Sequence, residues 1–112
     1  MAKKITISKL ITVPAGTESE TVIYTVEAAK KFRIKKIKIY FLSASGFKLR
    51  VEIFVGIFKI GPSRGFYASD GPTVEDEIDF EASSGDRIIA KCKNVGTSDQ
   101  DCLVMVQGEL GE

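Results

Sequence analysis

The chain contains no histidine and no tryptophan. Without histidine it lacks the commonest general base near neutral pH and the commonest metal ligand. Ser-His-Asp and Cys-His nucleophile systems are excluded with it. Without tryptophan, a glycan-binding face would rest on Phe54, Phe58, Phe66 and Tyr67. Cys92 and Cys102 are the only thiols, and two thiolates with no further ligands do not make a metal site. No Gly-rich loop follows a strand and opens a helix, so no phosphate cradle is expected. No apolar run approaches the ~18 residues of a membrane span. The N-terminus carries lysines and then apolar residues. Thr6, Ser8, Lys9 and Thr12 interrupt the apolar core that a signal peptide needs. The expectation is a first strand and a protein of the cytoplasm or of a virion. Asn94 is the sole asparagine and stands beside many Lys and Glu, a composition resembling that of thermophiles. Helical spacing, repeats and low-complexity segments are likewise missing.

What is present is alternation. From Leu49 to Ile57 apolar residues fall on every second position, with Arg50 and Glu52 between them. This is the pattern of a strand with one buried face. Phe47 and Lys48 continue it at the start. Phe54, Gly56 and Phe58 then occupy the face that should be polar. Two aromatics there are capped by a loop or covered by another chain. Upstream, Phe32 and Ile34 share one phase and Ile37, Ile39 and Phe41 the other. Lys35-Lys36 absorbs the slip, as a β-bulge does. Lys30 to Ile60 therefore reads as two long strands joined by a tight turn at Ser43 to Gly46.

The rest of the chain follows the same rule. Strand one covers about residues 4–13, with Ile5, Ile7, Ile11 and Val13 inward, and ends in the turn Pro14-Ala15-Gly16-Thr17. Thr21 to Glu27 is a β-branched strand with Val22, Tyr24 and Val26 in phase. A loop broken by Gly61-Pro62, Gly65 and Gly71-Pro72 precedes a strand over Val74 to Glu81. Phe66-Tyr67 is a candidate short edge strand within that loop. After a turn at Ser83 to Asp86, Arg87–Asn94 and Asp101–Leu110 read as a closing hairpin. The sum is one domain over residues 1–112. Its expected class is all-β, an antiparallel β-sandwich, jelly-roll-like, of about 7–9 strands.

Charge is unevenly placed. Residues 1–64 hold 13 Lys and Arg against 4 Asp and Glu, and residues 65–112 hold 3 against 11. Arg33, Lys36 and Lys38 belong to a basic stripe beginning at Lys30. Glu75, Glu77, Asp79 and Glu81 form an acidic face. The two can pair strands within the fold, or join one copy to the next. Paired carboxylates of this kind also serve glycosidases, but nothing here sets one apart from the others. A nucleic-acid platform would want aromatics interleaved with the cations, and Tyr40 alone supplies one. Calcium would take Asp70, Asp76, Asp99 and Asp101, though without a recognised ligand spacing. Cys92 and Cys102 allow two readings: small buried hydrophobes, or a cross-strand disulfide.

The stretch EIDFEASSGDRIIAKCKNVGTSDQDCLVMVQGEL, residues 77–110, opens a strand with a Gly-Asp turn and closes at Gly-Glu-Leu. It resembles the end of many small β-sandwich structural proteins of viruses and phages. The resemblance covers the last third of the chain and implies a self-associating building block. It carries no functional residues across. The expected role is non-enzymatic, without cofactor, with further copies or other assembly proteins as partners. The interface candidates are Arg33, Lys36, Lys38, Phe54, Phe58, Glu75, Glu77 and Asp79. The alternative is a small module binding glycan or nucleic acid through the 61–73 loop, with Arg64, Phe66 and Tyr67, or through the basic strand at 30–38.

Overall fold

The alternating segments become strands that bury one face each. The computed structural model describes residues 3–42, 48–68 and 73–111. The expected turn at Ser43 to Gly46, together with Phe47, Asp70 and Gly71-Pro72, lies outside them. Eight strands follow in order: β1 (Lys3–Val13), β2 (Glu18–Thr25), β3 (Lys31–Phe41), β4 (Leu49–Val55), β5 (Phe58–Gly61), β6 (Thr73–Ala82), β7 (Arg87–Asn94) and β8 (Gln100–Gly111). They form two four-stranded sheets, ordered β1-β8-β3-β6 and β2-β7-β4-β5.

The antiparallel pairs β1–β8, β2–β7, β3–β6 and β4–β5 give the logic of the chain. It is one long hairpin, doubled back at Gly56-Ile57. Rolled up, its successive strand pairs fall alternately in the two sheets. Pairings β3–β8 and β4–β7 knit each sheet together. This is the eight-stranded jelly roll.

Two expected hairpins do not form. β3 and β4 lie in different sheets, and so do β7 and β8. The β7–β8 connection arches from one layer to the other. Strand β4 also stops at Val55, two residues before its apolar alternation ends. Gly56 has φ +58 and is the first of two turn residues between the paired Val55 and Phe58. Glycine at that position is the type II′ hairpin pattern. Ile57, expected inward, is consequently 88% exposed.

The phase slip at Lys35-Lys36 is a bulge, and β2 carries a second one. β3 shifts register between Ile34 and Lys36 against both of its neighbours. Ile34, Ile37 and Ile39 can therefore all be buried. β2 shifts between Val22 and Tyr24. Ile23 and Tyr24 both reach the core, and Val22 is turned outward. The expected common phase of Val22, Tyr24 and Val26 is broken by this extra residue.

The interior is filled from both sheets. Phe32, Ile34, Ile37, Ile39, Val104 and Val106 face Leu49, Val51, Ile53 and Ile88, all essentially inaccessible. Burying each such side chain contributes about 1.5–3 kcal/mol. Phe32 meets Tyr24 edge-on, with ring centroids 5.7 Å apart. Phe32 also presses on Gly108, where a Cβ would collide with its ring and with the Arg33 carbonyl.

Candidate interaction surfaces

Alternation sends every second residue outward, so each sheet presents a broad face to solvent. On the first sheet β3 lies directly beside β6, which places the basic stripe against the acidic strand. Arg33 grips Asp79 with two parallel hydrogen bonds, Nε to Oδ1 at 2.8 Å and Nη2 to Oδ2 at 2.9 Å. Lys38 reaches Glu75 at 2.9 Å, and Lys35 reaches Asp79 at 3.4 Å. Lys36 stands opposite Glu77 in the register. The Arg33 guanidinium holds Asp79 below the usual carboxylate range, and Lys38 does the same for Glu75. Lys38 is itself pushed up to about 12 by hydrogen bonds with Tyr40 and Glu75. The carboxylates, Arg33 and Lys35 are exposed and Lys36 and Lys38 half-buried, so solvent screens the pairs. The charge split of the sequence is in large part a seam between two neighbouring strands.

Beyond that seam the same face turns apolar. Leu10, Leu103 and Tyr40 line up across β1, β8 and β3. Leu10 is 60% exposed. A groove of about 660 Å³ lies at the other end, near the β3 bulge. Lys4, Lys36, Glu77 and Glu109 share its walls, which gives it no single sign of charge.

The second sheet repeats the division. Lys91 pairs with Glu20, Lys93 with Glu18, and Lys59 with Glu52, at 2.9–3.3 Å. Next to these charges, Val22, Ile89 and Phe54 stand side by side on β2, β7 and β4. The Lys91 ammonium sits 4.3 Å from the centre of the Phe54 ring. At the same end the β4–β5 turn projects Ile57 and Phe58, the latter 62% exposed. Val22, Phe54, Ile57 and Phe58 thus gather at one end of one sheet. Phe54 was legible as an apolar residue on a polar face; Phe58, expected on that face too, pairs with the inward Val55 across the turn and stands on the other side, at the sheet's edge. Val22 was hidden by the bulge at Ile23, and Ile57 by the early turn. Ile89 was readable, since it is out of phase with Ile88 and Ala90.

The loop candidates separate. Tyr67 is buried, and its hydroxyl donates to Asp76 Oδ2 at 2.5 Å. It belongs to the core and cannot offer a ring to a ligand, contrary to the expected loop site. Burial and the Asp76 contact push its ionisation well up. The expected edge strand here is a single bridge, with Tyr67 exchanging hydrogen bonds with Val51. Phe66 is partly exposed and lies against the Arg50 guanidinium, 4.6 Å from its ring centre. Arg64 is exposed. Among the calcium candidates, Asp99 accepts from the Ala15 amide at 3.0 Å. Asp76 is engaged by Tyr67. The described residues contain no cluster of three or more metal-ligating side chains. They also contain no helix long and apolar enough to cross a membrane.

Cys92 and Cys102 are not opposite one another on adjacent strands, as a hairpin would place them. Cys92 stands opposite Ser19 and Val51 in the second sheet, and Cys102 opposite Ile11 and Phe41 in the first. Both are buried and reduced.

No protein-family model matches the sequence, and no curated protein is similar to it in sequence. Similarity appears at the level of structure. A chain from the capsid of the Helicobacter pylori bacteriophage KHP30 matches with a TM-score of 0.61 at 11% identity, covering 100% of this chain and 99% of that one. A chain of Sulfolobus turreted icosahedral virus matches with a TM-score of 0.62 at 9% identity. The match covers 97% of this chain but only 30% of the archaeal virus chain, so this protein spans under a third of its length. FlhE also matches, with a TM-score of 0.52 at 11% identity over 96% of each chain. At these identities the likeness is one of fold. The fold is that of viral jelly-roll capsid proteins, and FlhE shares it well enough that fold alone does not assign a role.

Proposed function

We propose that the protein is a structural building block of the virion type that works by associating with further copies of itself. The observation carrying this reading is the apolar end of the second sheet. Ile57 is 88%, Phe58 62% and Val22 44% exposed, next to the half-buried Phe54 and Ile89. Val22, Ile89 and Phe54 share the outer face, and Ile57 and Phe58 stand at the sheet's rim beside them. Exposed side chains of this size gathered together are the usual mark of a contact surface. The molecule measures 46 × 23 × 21 Å. Its broad face has room for the ~800 Å² per partner that a stable contact buries. The fold of capsid jelly rolls supports the same reading.

Within this contact Phe54 and Phe58 supply the hydrophobic anchor. Arg33, Lys36, Lys38, Glu75, Glu77 and Asp79 contribute to the β3–β6 seam of each copy and less to the join between copies. Phe58→Glu places a charge at the rim of the patch, at a position 62% exposed. It is expected to weaken self-association about 30-fold or more, the loss of a ~2 kcal/mol anchor. Sedimentation across a concentration series checks this. An unchanged association constant would move the contact to another face.

A further inference from the structure

We propose that Cys92 and Cys102 are a redox pair that closes into a disulfide stitching the two sheets together across the core. Each cysteine lies on an inward position of its strand, 2% and 0% exposed. Each is also five positions from Thr97, the midpoint of the β7–β8 arch. An arch that steps from one sheet to the other brings such equidistant inward residues face to face.

Packed sheets normally lie about 10 Å apart, whereas a disulfide needs Cα atoms within about 7 Å. The sheets must therefore draw together locally, and at this end they are tied. Asn94 of β7 donates from Nδ2 to the Val13 carbonyl of β1 at 2.9 Å, a direct bond between the layers. Cys92 is the next inward residue along β7. Cys102 stands opposite Ile11, the next inward residue along β1. The pair thus occupies the first rung beyond an existing cross-sheet link. The two thiols perturb one another: Cys102 lowers the Cys92 ionisation, and Cys92 together with burial raises that of Cys102.

Oxidation by a small-molecule disulfide balances simply. The Cys92 thiolate, its proton lost to solvent, attacks one sulfur of the oxidant and expels the other as a thiolate. The Cys102 sulfur, losing its own proton, then attacks the Cys92 sulfur of the mixed disulfide and expels the second small thiolate. The protein loses two protons and two electrons, and the oxidant becomes two thiols. Both cysteines are inaccessible in the closed fold, so the exchange proceeds when the arch opens or while the chain folds. The bond joins sheets of one chain and leaves the outer faces free.

The test is to refold the reduced protein in a buffer of oxidised and reduced glutathione. Mass, thiol content and unfolding temperature are then compared with those of the reduced form. The expected product is a monomeric chain lighter by two hydrogen atoms, with no titratable thiol. Tryptic digestion should give one linked peptide, Cys92-Lys93 joined to the C-terminal fragment. The unfolding midpoint should rise by about 10 °C, the shift expected for closing so short a loop. In Cys92→Ala the midpoint should be indifferent to oxidant. Two thiols still titrating after equilibration would overturn the proposal. So would a stable glutathione adduct, a bond between chains, or an oxidised form melting no higher than the reduced one.

Discussion

Asn94 shows how one side chain can hold a connection between layers. It is buried and uses its amide fully. Nδ2 donates to the carbonyls of Val13 and Ser98, and Oδ1 accepts from the Gly96 amide. Asn94→Ala leaves three backbone groups to find other partners at once. Each buried orphan costs about 1–3 kcal/mol, part of which water at the arch recovers. The expected loss is about 2–4 kcal/mol in urea unfolding, with an unchanged dependence on denaturant. A loss below about 0.5 kcal/mol would mean the arch is held by something else. The sequence marks Asn94-Val95-Gly96 as a turn. It does not distinguish a turn within one sheet from an arch between two, because both need the same local backbone chemistry.

Among the elements, β3 and β6 show what sequence patterns convey and where they stop. The bulge at Lys35 is legible because apolar residues change phase there. The outward acids of β6 are legible by strict alternation, and Asp76 by its place among apolar neighbours. That β6 lies beside β3 is not legible. Every pairing in this fold except β4–β5 joins distant segments, while short-range signals favour neighbours in sequence. The predicted hairpins in the middle and at the C-terminal end of the chain failed for this reason.

The β3–β6 seam has a testable pH profile. Asp79 and Glu75 have depressed ionisation in the fold. Their contribution is complete above the ordinary carboxylate range and is lost as pH falls below about 4. Lys38 is raised from 10.5 to about 12. Its contribution is complete below its ordinary value and is lost as pH rises through the higher one. Protection of the amides of β6, an outer strand of its sheet, taken as exchange relative to the intrinsic rate at each pH, should therefore be highest between about pH 5 and 10. Asp79→Asn should lower it at neutral pH and flatten its acid limb. Protection of β6 that holds unchanged to pH 3 would contradict the role given to these pairs.

At the scale of the whole molecule, the layers are amphipathic twice over. Each sheet is apolar within, and each outer face is divided into a charged end and an apolar end. Phe54 revealed half of this in the sequence. The other half required the β2 bulge and the Gly56 turn, which bring Val22 and Ile57 into the same patch. The ion pairs of both faces close within the chain, so the contact between copies should rest on hydrophobic burial, which salt does not screen. The deciding measurement is solution mass by light scattering at low and at high salt. A defined oligomer whose mass is the same at both is the expected result. An oligomer that dissociates at high salt would return the contact to Arg33, Lys36, Lys38 and the acidic strand. A monomer under both conditions, at concentrations well above those of ordinary assembly, would contradict self-association and favour a ligand-binding role for the loop at Arg64 and Phe66.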